Sequence, residues 1–194
     1  MEALLKFSDI IDAIVTRVGK WASLLAIPLM IVILYDVIQR KFGGQGSIKL
    51  QELEWHLHTG LFMLCFGFAY IRDSHVRIEL IRDNLRPRTR AIVEMIGGIV
   101  CVLPFCALVL YFGFDFVARS FENNEVSAAT TGLTHRWIIK STIPIGFGLL
   151  AMAGLSIFLK CFVFVFGPAN LHKRAGYYVG THHLEDLGAA KIED

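Results

Sequence analysis

Four long apolar runs, separated by short charged or glycine-rich stretches, set the pattern of this chain. Trp21–Gln39, Leu57–Ile71, Met95–Phe114 and Ser141–Leu159 are almost free of charge, and the last continues past Lys160 to Phe166. A membrane-crossing helix needs about 20 mostly apolar residues. The first, third and fourth runs meet this directly. The second meets it when Trp55, His56 and His58 lie at the membrane–water boundary, where aromatic rings are favoured. The expected spans are therefore residues 21–39, 55–71, 95–116 and 141–166, an all-α integral membrane protein of four helices. Lys160 is expected to snorkel toward the headgroups on its apolar stem.

The segments around the spans carry their own periodicity. Leu4, Phe7, Ile11, Ile14, Val15 and Val18 recur at helical spacing, with Asp9, Asp12, Thr16, Arg17 and Lys20 on the other side. This predicts an amphipathic helix over residues 3–18 lying on the membrane surface, with a helix packed on protein as the alternative. It does not read as a cleaved signal peptide, because acids and bases are mixed and no small-x-small cleavage site follows. Gly43-Gly44-Gln45-Gly46 reads as a turn, and Ser47 as the cap of a second interfacial helix over residues 48–55. Residues 72–91 hold six arginines over an apolar face of Val76, Ile78, Ile81 and Leu85, and Pro87 ends that helix. The polar external segment 119–140 reads as a connection or a docking surface. Residues 167–194 form a tail.

Orientation follows from the bases. With four spans, the N-terminal segment, residues 72–91 and the tail share one side and carry thirteen Lys and Arg, against six on the other. Both termini are therefore expected in the cytoplasm. Composition agrees with the pattern: 55% of residues are hydrophobic and 19% charged, which excludes disorder and a disulfide scaffold. A net charge of +2 gives no global field for nucleic acid.

Chemistry is sparse. Cys65, Cys101, Cys106 and Cys161 form no CxxC pair and read as buried packing residues rather than a redox centre. No histidine lies mid-span, so a membrane b-type cytochrome would need haem ligands at the membrane edge. Asp36 and Asp115 sit near the outer ends of their spans, within reach of water, and Asp36 lies four residues before Arg40. Signs of an ion or substrate pathway are missing. Small residues at Gly97, Gly98, Cys101, Gly146, Gly148, Ala151, Ala153 and Gly154 offer close helix contacts instead. No catalytic, cofactor or metal site is expected. An autonomous four-helix transporter stays open beside a subunit role.

Glu52-Leu53-Glu54-Trp55-His56, then Ala69-Tyr70-Ile71-Arg72 and His75-Val76-Arg77-Ile78-Glu79, resemble the DctQ-type small membrane subunit of TRAP (tripartite ATP-independent periplasmic) transporters. Gly132-Leu133, Arg136-Trp137-Ile138-Ile139-Lys140 and Ile143-Pro144-Ile145-Gly146 extend the likeness, which covers about residues 15–165. The resemblance implies a bacterial inner-membrane protein with two partners. One is a large DctM-type subunit on a separate chain, which carries the sodium and substrate sites. The other is a DctP-type periplasmic binding protein for organic acid anions. It implies that Trp55, Tyr70, Arg72, His75, Arg77, Trp137 and Lys140 contact the large subunit. Glu52, Glu54, Arg136 and Lys140 are then candidates for docking the binding protein. The small subunit would be a static, non-catalytic brace in a sodium-coupled symporter.

Overall fold

The computed structural model describes residues 1–43, 46–74, 85–129 and 131–176. Among these the regular structure is entirely helical. α1 runs Glu2–Ser23, α2 Ala26–Gly43, α3 Ile48–Ile71 and α4 Pro87–Gly97. A π-helical turn at Gly98–Val102 leads into α5 (Leu103–Glu122), followed by α6 (Trp137–Phe166) and α7 (Ala169–Gly176). Among the described residues, three stretches are long and apolar enough to cross a membrane: Glu2–Gly43, Pro87–Glu122 and Trp137–Phe166. α3 is more polar because Glu52, Glu54, His56 and His58 occupy its first three turns. The second expected span is thus one continuous helix with the expected surface helix 48–55, and not a separate element. Ser47 stands at its N-cap position without making a side-chain cap bond.

Proline sets the breaks. Pro28 has no N–H for the carbonyl of Leu24 four residues back, and the N–H of Ile27 takes that carbonyl at 3.1 Å, dividing α1 from α2. Pro104 leaves the carbonyl of Val100 without its usual donor. The chain widens there, and the N–H of Leu103 reaches back to Gly98 across the π turn. α3 and α5 end in left-handed residues, Asp73 at φ 56° and Asn124 at φ 46°. The following N–H groups close the last turn, Ser74 to Ala69 O at 3.0 Å and Glu125 to Ser120 O at 3.0 Å.

α6 is the axis of the molecule. Ile11 and Val15 of α1 meet Ile71 of α3 against Leu149 and Ala153 of α6. Ala91 of α4 packs on Ile157 and Cys161, and Cys106 of α5 on Phe147 and Leu150. The backbones of α3 and α6 touch. A Cβ on Gly67 would lie 2.6 Å from the carbonyl oxygen of Leu149, and one on Gly146 would lie 2.5 Å from that of Met63. These pairings run in the same sense, so α3 and α6 are parallel. Leu5 packs near Val163 and Val15 near Leu149, while Gly113 faces Pro144 and Gly154 faces Val102. α1 and α5 are therefore antiparallel to α6. The outer surfaces of α2 and α5 stay apolar and exposed, with Met30, Ile31, Phe105 and Tyr111 each more than half open.

The N-terminal stripe divides between two surroundings. Leu5, Ile11 and Val15 are buried against α3, α6 and α7, whereas Phe7, Ile10, Ile14 and Trp21 are exposed on another side of α1. Lys160 does not snorkel. It is only 3% exposed and is bonded to Asp12, with Asp9 at 3.8 Å. Ser8 and Ser156 approach within 2.7 Å beside it, and Ser156 Oγ also donates to Asp12. A buried cation requires such partners because losing its hydration costs several kcal/mol. Asp36 is likewise 2% exposed and held by Arg40, so it is shielded and not hydrated as its place near the span end suggests. Of the cysteines, Cys106 and Cys161 are buried as expected. Cys101, within the π turn, is exposed.

Candidate functional site

Six of the described site residues, Glu52, Glu54, Trp55, Arg136, Trp137 and Lys140, gather at one end of the bundle, where the α2–α3 turn meets the connection between α5 and α6. Glu52, on the second turn of α3, anchors that connection. Its Oε2 accepts the N–H of Leu133 at 2.6 Å, and its Oε1 accepts the hydroxyl of Ser127. Ser127 then accepts the N–H of Ala129 at 3.2 Å through Oγ and donates its own N–H to Leu133 O at 3.1 Å. Gly132 is needed here. A Cβ there would collide with Ser127 and stand 2.8 Å from Glu52 Oε1. The backbone donor at Leu133, then the Ser127 hydroxyl, hold the Glu52 carboxyl below its usual range.

A second anchor lies beside the first. Glu125 accepts from Lys140, and its carbonyl accepts the N–H of Arg136 at 3.2 Å. Lys140 also stands over the ring of Phe116, 4.0 Å from its centroid, and lowers the Glu125 carboxyl. Trp137 meets Phe121 edge to face at 5.3 Å. The polar connection is thus a folded platform, tied to α3 and α6, and not a loose loop.

The resemblance-based residues therefore divide. Glu52 and Lys140 spend their charge inside the chain. Glu54 and Arg136 are half-buried in the same region, and Trp55 is exposed. Tyr70 lies at the other end of α3 and packs against the clusters centred on Leu149, Ile157 and Phe147. Arg72 caps α3 and stands over Phe68 at 5.5 Å. His75 and Arg77 lie outside the described residues, as do residues 76–84 and the tail beyond Gly176. Sequence reading missed Ser127, Gly132 and Leu133 as partners of Glu52, since they lie 75 to 81 positions away. It also missed α7, whose Arg174 pairs with Asp9 and whose Leu171 and Ala175 cover Leu5. Nothing in a segment of so few apolar residues signals a docked helix.

Among the described residues no group of His, Cys, Asp and Glu is arranged to hold a metal ion. No curated protein matches the chain. Residues 29–163 match the family model described as Tripartite ATP-independent periplasmic transporters, DctQ component. That match takes in the platform, the α3–α6 contact and all of α4 and α5. The chain therefore belongs to the DctQ family, the small membrane component of TRAP transporters.

Proposed function

We propose that this chain is the non-catalytic brace of a sodium-coupled TRAP transporter in a bacterial inner membrane. In this reading it crosses four times, with both termini in the cytoplasm. The parallel backbone contact of α3 with α6 supports α3 as the fourth crossing, since two helices joined along their length share a depth. The chain holds the scaffold of a large DctM-type subunit still while that subunit moves an organic acid anion. The observation that carries the reading is the fate of the ionisable groups in the long apolar helices. Asp12 and Asp36 are shielded, and each pairs with a base of the same chain, Lys160 and Arg40. They lock helices or turns together, whereas a transport path would present such groups to water.

The outer platform gives the docking role a physical form. Glu52 serves it by shape, because it fixes the connection, while Glu54 and Arg136 supply charge for the periplasmic protein. Trp55, exposed on the flank of α3, and Arg77 are the residues assigned to the large subunit. The test is co-purification of the tagged chain with a large TRAP subunit from detergent-solubilised membranes. The parent chain is expected to retain it, and Trp55→Ala or Arg77→Ala to lower retention. Failure of the parent to retain any large subunit would overturn the brace reading.

A further inference from the structure

The charge at the start of α4 is of the unexpected sign. A helix start favours acids, because its free N–H groups carry partial positive charge. The first turn of α4 holds none, and Arg86 at the N-cap position and Arg88 after Pro87 stand there instead. Both are exposed, and neither makes an ion pair among the described residues. Ile92, Val93, Ile96, Ile99 and Val100 form one exposed apolar stripe, which begins a turn after Arg88 and runs through the π turn toward α5. Glu94 is the single acid of α4 and lies on the side of the helix away from Ile92 and Ile96. Ala91 packs on Ile157 and Cys161, so the start of α4 stands beside the last turns of α6. Arg86 and Arg88 are two positions apart, at one end of the apolar stretch Pro87–Glu122, and Arg119 stands near its other end. From Arg88 to Arg119 the helix measures about 45 Å, the thickness of a bilayer with its headgroups. The two bases therefore share one headgroup layer, with the stripe among the acyl chains beside them.

We propose that Arg86, Arg88 and the stripe beyond them form a binding site for anionic phospholipid, with the phosphate at the two guanidinium groups and an acyl chain along Ile92, Ile96 and Ile99. Two requirements select the occupant. It carries negative charge, because among the described residues no acid of this chain meets Arg86 or Arg88, and Glu94 is turned away. It carries an apolar body next to that charge, because the exposed stripe leads without a break from the bases into the span. Side chains of a helix lean toward its N-terminus, which takes the Arg88 guanidinium away from the stripe and toward the phosphate layer. The inference rests on the crossing of the membrane by Pro87–Glu122 and is independent of the brace role.

The full-length chain carrying Trp21→Phe, Trp55→Phe and Trp137→Phe has no tryptophan, and Ile92→Trp then places a single one on the stripe. It is reconstituted in bilayers of mixed phosphatidylglycerol and phosphatidylcholine, with bromine on the acyl chains of one lipid or the other. Helix content by circular dichroism checks the fold, and Ile96→Trp replaces Ile92→Trp as the reporter if that variant does not fold. Quenching is expected from both lipids, with phosphatidylglycerol enriched roughly fivefold for each of the two bases. Arg86→Gln and Arg88→Gln should each lower the enrichment about fivefold, and together bring it to about one, while quenching itself persists. Lys6→Gln removes an exposed base from α1 at the same end of the bundle and should leave the enrichment unchanged. A loss with Lys6→Gln as large as with Arg88→Gln would overturn the site in favour of general attraction to the charged surface. Equal quenching by the two lipids before any base is removed would overturn the headgroup preference and leave the crossing standing. Absence of quenching by either lipid would overturn both and make the stripe a protein contact.

Discussion

Replacing Gly146 by Ala tests the α3–α6 contact on which the whole bundle is hung. The added Cβ would stand 2.5 Å from the carbonyl oxygen of Met63, a rigid backbone atom that cannot turn aside. Ordinary contact needs roughly 0.9 Å more, and a gap of that size forfeits between about a quarter and a half of the attraction of each atom pair along the seam. Overpacking of this kind costs about 1–3 kcal/mol. Gly67→Ala applies the same wedge from the opposite helix, against Leu149 O at 2.6 Å. Once one wedge has parted the helices the second meets less resistance, so the double variant should lose less than the sum. Gly148 is the control, since a Cβ there meets nothing within 4 Å. Its alanine variant should be unchanged or more stable by about 0.5–1 kcal/mol, from the helical preference alone. The assay is denaturant unfolding in detergent micelles followed by circular dichroism. If Gly146→Ala and Gly67→Ala unfold at the midpoint of Gly148→Ala, the seam is not where the geometry puts it.

Further tests address the polar anchors. Lys160→Met strands Asp12 and should destabilise the chain by about 3 kcal/mol, while adding Asp12→Asn should recover much of the loss in the same unfolding assay. Glu52→Ala removes the acceptor for Leu133 N–H and Ser127, so trypsin should cut after Arg136 several-fold faster than in the parent at unchanged helix content. Because the Glu52 and Glu125 carboxyls are both lowered from their usual 4.5, the order they give the platform is fully present above that value. It is lost as the pH falls through their lowered values. Hydrogen exchange at Leu133 should therefore stay slow from neutral pH down to about 4.5 and quicken below it, relative to a core amide such as that of Ala153.

What could be read from the sequence was what lies within one helix. Hydrophobic runs located α6 to its last residue, Phe166, because continuity of apolar side chains is a local property, but the helix begins at Trp137, four residues before the expected Ser141. The Asp36–Arg40 pair was visible for the same reason, being one turn apart. The partners of Glu52, Asp12 and Lys160 were not, since each pair is made by segments that meet only in the fold. The glycines show the same divide. Gly97, Gly98 and Gly148 face open space, while Gly67 and Gly19 make close contacts that no spacing rule singled out. Small size permits approach, but which small residue is approached depends on the crossing geometry. The N-terminal stripe is the intermediate case. Its period was correct, and its division into a covered and an open side depends on where α3 and α6 stand.

The claim at the centre is that this chain supports transport without performing it, and proteoliposomes containing the purified chain alone test that directly. Under an inward sodium gradient, with a labelled dicarboxylate outside, uptake should equal that of protein-free vesicles. Uptake that follows the sodium gradient in these vesicles would contradict the brace and make the chain a transporter by itself.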